Sequence, residues 1–315
     1  MIKIEDLLEA GVHFGHRVTK WNPRMAPFIF GERNGIHIID LIQTLSYLQE
    51  SSKFLQQLRN TKSDIRTGQN TNRNILFVGT KKQASALVET CSNKINNNTI
   101  NFGENTFDLT APLGAGGDTL SNGGKSKLGV TAHFVNHRWL GGLLTNWSTM
   151  RICIDQLNKL EKREANGELQ NLPKKERSIL KKQYEKLDKF FGGIKTMKQR
   201  PDLVIIVGQD NEMNAVRECN KLAKSSEVSW SEPTSLNSSS ARFAQNTQGK
   251  KRESGGQSPV SEKVQAITEP LRTITLLDTN CDPALADIFI PANDDSTKSL
   301  ELILGQLTAV LCESA

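Results

Sequence analysis

No apolar run in this 315-residue chain approaches the ~18 residues that a membrane helix needs. A helical membrane span is thereby excluded, and no membrane partner is expected. Cysteine is scarce and scattered: Cys91, Cys153, Cys219, Cys281 and Cys312 each stand alone, with no CxxC. That pattern argues against a disulfide framework or a thiolate zinc site and predicts reduced, buried thiols. No nucleotide-binding GxGxxG opens a helix after a strand. The single GKS, Gly124-Lys125-Ser126, has Thr119 where a phosphate loop needs glycine, and it sits in low-complexity sequence. The N-terminal MIKIEDLLEAGVHFGH lacks both an apolar signal core and Arg/Ser-rich transit character. The chain is therefore expected to work where it is translated, unless an import signal is missing from it.

Charge is present and unevenly spread. Arg151 to Arg200 holds 14 Lys and Arg against 7 Asp and Glu, a local excess of +7 in a chain of net charge +6. The remainder sums to −1, the difference between those two values, so one fifty-residue segment carries the whole positive balance. Such a segment is either an electrostatic footprint for a polyanion or a solvated helix face.

Three short β-branched runs, Ile75–Gly79, Leu203–Gly208 and Ile274–Asp278, read as buried parallel strands, and Ile36–Leu41 is a shorter fourth run. Helical patterns follow the first two, over Lys81–Cys91 and Glu212–Lys224. Strand followed by helix, repeated, predicts an α/β fold with helices on both faces of a parallel sheet. Ser299–Leu311 reads as a closing helix capped near Ser296 or Thr297. Ile152–Phe191 has sparse apolar positions and breaks at Asn166-Gly167 and Leu172-Pro173, which predicts a helical hairpin projecting from the body. The predicted division is a body over 1–92, 130–150 and 191–315, and a hairpin over 151–190. An Asn/Gly-rich insert covers 93–129 and a Ser-rich insert covers 225–268.

Five groups of residues bear on chemistry. Gly79-Thr80-Lys81-Lys82 ends a strand and opens a helix, where free N–H groups favour an anion; Lys81 and Lys82 are candidates for a phosphate, of RNA or of a nucleotide. Arg17, Lys20, Trp21, Asn22, Arg24 and Arg33 surround Pro23 and Pro27, a basic and aromatic loop suited to RNA phosphates and bases; Trp21 and Phe28 could equally pin the segment to the body. HFVNHRWLGGLLTNW (133–147) gathers two Trp, two His and an Arg, and competes between a stacking surface and a helix start with core tryptophans. Within it Trp139 is expected inside, with Arg138, Asn146 and Trp147 near the hairpin base. His13 and His16 form a possible ligand pair, yet no acidic, Cys or His partner follows at metal spacing, so no metal site is expected. Asp278-Thr279-Asn280-Cys281-Asp282 follows a strand, and its residues read as turn caps before Pro283.

Taken in order, LLEAGVHFGHRVTKWNPRMAPFIFGERNGIHIIDL (7–41), ILFVGTKKQA (75–84), HFVNHRWLGGLLTNW (133–147), FGGIKTM (191–197), PDLVIIVG (201–208) and LLDTNCDPALADIFIPANDD (276–295) resemble the small-subunit ribosomal protein S-two family. The resemblance spans the chain apart from the two inserts. It implies a flavodoxin-like, doubly wound parallel sheet with a protruding α-helical hairpin. It also implies a structural role in the small (30S-type) ribosomal subunit, with small-subunit ribosomal RNA and neighbouring ribosomal proteins as partners. No catalysis, no cofactor and no small-molecule substrate are expected. LTNWST, LPKKERSILKKQ, VRECNKL and IPANDD are similar to the plastid branch, which implies a chloroplast ribosome, with a bacterial cytoplasm as the alternative. RNA contact is then expected at the hairpin residues Lys162, Arg163, Lys174, Lys175, Arg177, Lys181 and Lys182, at Arg17, Lys20, Trp21 and Arg24, at Lys81 and Lys82, and at Arg138 and Asn146. The rival reading is a nucleotide-binding α/β enzyme using Gly79–Lys82 and Asp278–Asp282. One departure stands out: bacterial members carry Asp after the VIIV-type strand, and here Gly208 takes that position.

Overall fold

A computed structural model of the chain describes residues 2–60, 73–101, 130–168, 172–227 and 271–312. In chain order, α1 (Ile4–Glu9), β1 (Phe14–Arg17), β2 (Ile29–Arg33), β3 (Ile36–Ile39) and α2 (Leu41–Asn60) precede β4 (Arg73–Val78), α3 (Lys82–Asn101) and β5 (Val130–Val135). Then come α4 (Trp147–Ala165), α5 (Lys174–Phe191), β6 (Leu203–Val207), α6 (Met213–Glu227), β7 (Arg272–Leu277), β8 (Ile288–Pro291) and α7 (Thr297–Cys312).

Five strands pair in parallel in the order β5-β4-β6-β7-β8. Counted from β4 that order is 2-1-3-4-5, the flavodoxin-like doubly wound arrangement. The strands are apolar on both faces because both faces are covered. Ile75 and Phe77 of β4, with Leu203, Ile205 and Val207 of β6, join α2, α3 and α7 in one core. Leu76, Val78, Val204 and Ile206 point the other way, toward α6 and the roots of α4 and α5.

The fourth run, Ile36–Leu41, lies apart from the parallel sheet: β3 is the centre of a small antiparallel sheet, β1-β3-β2. Its hairpin turns on Asn34-Gly35, both at positive φ (55° and 73°), the backbone that Asn-Gly accepts readily. The helix-start reading of 133–147 fails at its beginning, since His133, Phe134 and Val135 end strand β5. Helices α3 and α6 continue to Asn101 and Glu227, past positions 93 and 225. The rest of both inserts, and Gly124–Ser126, lie outside the described residues.

Burial in β5 makes a testable point. His133 is almost completely buried beside Thr196, and burial pulls its pKa from 6.5 down to about 4. A depressed histidine contributes stability above the unfolded pKa and loses it as pH falls through the folded one. About 3 kcal/mol should therefore be lost between pH 6.5 and 4 through this residue. Thermal melts over that range should show a shallower decline for His133→Gln than for the parent. Parallel declines would remove His133 from the account.

Candidate nucleic-acid interface

In a doubly wound sheet a nucleotide would sit beyond the strand ends where the order reverses, here between β4 and β6. The loop after β4 supplies Gly79, Thr80 and Lys81, and the loop after β6 runs to Glu212. This crevice is filled from within. The buried Glu212 carboxylate accepts from the Thr80 backbone N–H (3.1 Å) and from the Thr80 hydroxyl. Burial raises the Glu212 pKa against the opposing pull of those hydrogen bonds. A protein carboxylate thus occupies the anion position that the sequence left open for a phosphate. Titration of the chain with ATP or GTP should give no saturable heat; a saturable isotherm would revive the enzyme reading.

Lys81 also departs from expectation. Its side chain is only 10% exposed, and Nζ donates to Asp294 Oδ1 (2.7 Å) and Asp295 Oδ1 (2.8 Å). Burial opposes its charge, but the two carboxylates outweigh burial and raise its pKa. An ammonium held by two internal anions is not free for RNA phosphate, so Lys81 leaves the interface. Lys82 is exposed.

Around Lys81 lies a cluster that sequence spacing concealed. His16 Nδ1 is 2.9 Å from Asp278 Oδ2, and His16 Nε2 is 3.4 Å from Asp295 Oδ2. The hydrogen bond to Asp278 leads in raising the His16 pKa. Asp294 is buried, its Oδ2 has no hydrogen-bond partner among the described residues, and burial with nearby Asp278 pushes its pKa up to about 6. His16, Asp278, Asp294 and Asp295 offer atoms within 4.8 Å of one another, a mixed N/O set of the kind a divalent cation takes. The acidic partners of His16 come from the far end of the chain. Gly208 lies against this cluster: a Cβ there would meet Lys81 Cε at 2.9 Å, and its φ is +76°. Any role tied to a carboxylate at this position is absent from this chain.

The root of α4 is built around Glu218 of α6. Its Oε1 accepts from Trp139 Nε1 (3.1 Å) and the Gly142 N–H (2.6 Å). Its Oε2 accepts from the Leu144 N–H (3.1 Å), the Thr145 N–H (3.2 Å) and the Thr145 hydroxyl (3.3 Å). Burial works against the charged form, but these bonds prevail and hold the carboxyl below its usual range. Trp139 is buried, as expected, while Arg138 and Asn146 are exposed and Trp147 packs partly against the second core. Sequence reading missed Glu218 because an acidic residue on an amphipathic helix carries no local sign of its partners.

Beyond this root, α4 and α5 pack on each other through Ile154, Leu157, Tyr184 and Leu187. From Lys174 to Gln183 every residue of α5 is exposed except half-buried Leu180. On helical spacing Lys175, Lys182, Lys186 and Lys189 share one face, opposite Leu180, Tyr184 and Leu187. Lys174, Arg177 and Lys181 form a neighbouring stripe. No carboxylate among the described residues pairs with any of these seven cations. Lys162 is also exposed, whereas Arg163 pairs with Glu168 at 3.2 Å.

The N-terminal candidates are more committed. Arg17 and Lys20 are exposed, but Arg24 pairs with Asp282. Trp21 stays 39% exposed with its ring 5.4 Å from that of His37. Phe28 packs edge-on to Tyr47 and Phe289, so it pins the segment to the body.

Comparison with known proteins agrees with this architecture. The family model described as Ribosomal protein S2 matches residues 7–102, 126–225 and 263–314. Small ribosomal subunit protein uS2 of Synechococcus sp. (strain JA-3-3Ab) is 36% identical over 313 residues, covering 99% of this chain and 83% of the relative. Small ribosomal subunit protein uS2c of Rhodomonas salina is 36% identical over 313 residues (99% and 91%), and that of Mesostigma viride is 36% identical over 312 residues (99% and 96%). With a family model matched over most of its length and relatives aligned nearly end to end, the chain belongs to the ribosomal protein S2 family.

Proposed function

We propose that the chain grips small-subunit ribosomal RNA with the basic faces of α5 and holds the arm rigidly on an α/β body that performs no chemistry. As a member of this family it is a structural protein of the small ribosomal subunit and not an enzyme. The observation that carries the RNA reading is the pair of unpaired cationic stripes on α5. From Lys175 to Lys189 the helix rises about 21 Å, enough to follow several phosphates along a duplex strand. A solvated helix face does not require seven cations free of internal partners.

Lys162 of α4, with Lys174, Lys175, Arg177, Lys181, Lys182, Lys186 and Lys189 of α5, forms the main contact in this reading. Arg17, Lys20, Trp21, Lys82, Arg138 and Asn146 are secondary candidates; Arg24 and Arg163 share their charge with Asp282 and Glu168. Neighbouring small-subunit proteins are further partners. The plastid ribosome is the proposed location, supported by LTNWST, LPKKERSILKKQ, VRECNKL and IPANDD; a bacterial cytoplasm is the alternative. Charge reversal of Lys174, Lys175 and Arg177 together should weaken incorporation into small subunits without lowering the melting temperature. Normal incorporation of that triple variant would move the contact away from the outer part of the arm.

A further inference from the structure

We propose that Glu218 is the positioning residue of the basic arm: it clamps the Trp139–Thr145 turn and so fixes the direction in which α4 and α5 leave the body. The inference rests on the RNA reading for its consequence, though not for its geometry.

Five donors converge on this one carboxylate, and all belong to the turn immediately before α4. Three of them are backbone N–H groups, which would otherwise need water or another acceptor at a crowded chain bend. Gly142, at φ +84°, gives the turn the left-handed step it contains. The order passes directly into the arm. The Asn146 N–H donates to the Gly142 carbonyl (2.8 Å), and the Met150 N–H donates to the Asn146 carbonyl (3.2 Å) in the first turn of α4. Apolar contacts also hold the arm root, through Ile154, Leu157, Phe191, Ile194 and Met197. Such contacts are non-directional and tolerate rotation. Charge-assisted hydrogen bonds to a carboxylate fork do not, because each fixes an angle as well as a distance. Glu218 thus supplies the orientation that the apolar seam leaves soft. It is reached from α6, so the arm takes its bearing from the helix layer packed on the sheet.

The test uses the full chain with Cys153→Ser and Cys312→Ser, and spin labels at Ser178→Cys on α5 and Glu301→Cys on α7. Electron–electron dipolar spectroscopy should give one narrow distance distribution in the parent. Glu218→Ala removes the acceptors. Glu218→Gln keeps the shape but turns an amide NH₂ toward two or more N–H donors, and serves as the readout if the alanine variant does not fold. Both should broaden the distribution, leaving about one molecule in ten at the parent distance, with a matching loss of about tenfold in retention on small ribosomal subunits. Glu218→Asp, which keeps the charge, should recover part of the narrow component. A parent-like distribution in both the alanine and glutamine variants overturns the clamp. A broadened distribution with undiminished retention overturns its link to binding. If parent retention shows no salt dependence, the RNA reading fails, while the distance distribution still reports on the clamp.

Discussion

Changing Lys175, Lys182, Lys186 and Lys189 together to glutamate should reduce affinity for small-subunit ribosomal RNA on the order of a thousandfold at low salt. That figure takes about 1 kcal/mol for each phosphate contact in a highly solvated setting. The logarithmic dependence of affinity on salt should flatten by about 4, near one for each lysine removed. Fold stability should stay within about 1 kcal/mol of the parent, since all four side chains are exposed. Filter binding across a salt series measures both quantities. The mechanism is counterion release, so loss of affinity without a change in salt slope would point to unfolding of the arm. An unchanged affinity would reduce the lysine face to a solvating surface. Comparison with the Lys174, Lys175 and Arg177 variant then identifies the stripe nearer the RNA.

The second large effect concerns packing at the inner end of the arm. Gly193 follows α5, and a Cβ there would lie 2.2 Å from the carbonyl oxygen of Phe134 and 2.7 Å from its ring. The obstacle is β5 backbone, which cannot swing aside as a flexible side chain would. Gly193→Ala should therefore destabilise the fold by about 3 kcal/mol, or about 10 °C in melting temperature. Gly141→Ala is the control, because a Cβ at Gly141 meets nothing within 4 Å among the described residues. A Gly193→Ala melt within 2 °C of the parent, a range set by experimental error on the scale of about 2–4 °C per kcal/mol, would contradict the close approach.

Much of the body could be read from the sequence because buried parallel strands are written as short β-branched runs. Ile75–Gly79 and Leu203–Gly208 became β4 and β6 almost as bounded. β5 was hidden because Val130–Val135 adjoins Asn/Gly-rich sequence and its end was absorbed into the Trp-rich string. The β2–β3 hairpin had a usable signal, Asn34-Gly35 between two apolar segments, that went unread. The sites divide in a similar way. Exposed cations on a helix follow from composition and period, so the basic arm was visible. Lys81 misled because its partners, Asp294 and Asp295, lie more than two hundred residues away. Long-range pairing of this kind, which also unites His16 with Asp278 and Glu218 with Trp139, is a property of the folded topology and has no local signature.

The central claim is that the chain serves as an RNA-bound structural part of the small subunit through its basic arm. The most direct test is co-sedimentation of the full chain with small ribosomal subunits after a low-salt wash, beside the Lys175, Lys182, Lys186 and Lys189 glutamate variant. The account predicts a parent retained in stoichiometric amount and a folded variant left in the supernatant. Equal retention of the two, or a parent washed free, would contradict it.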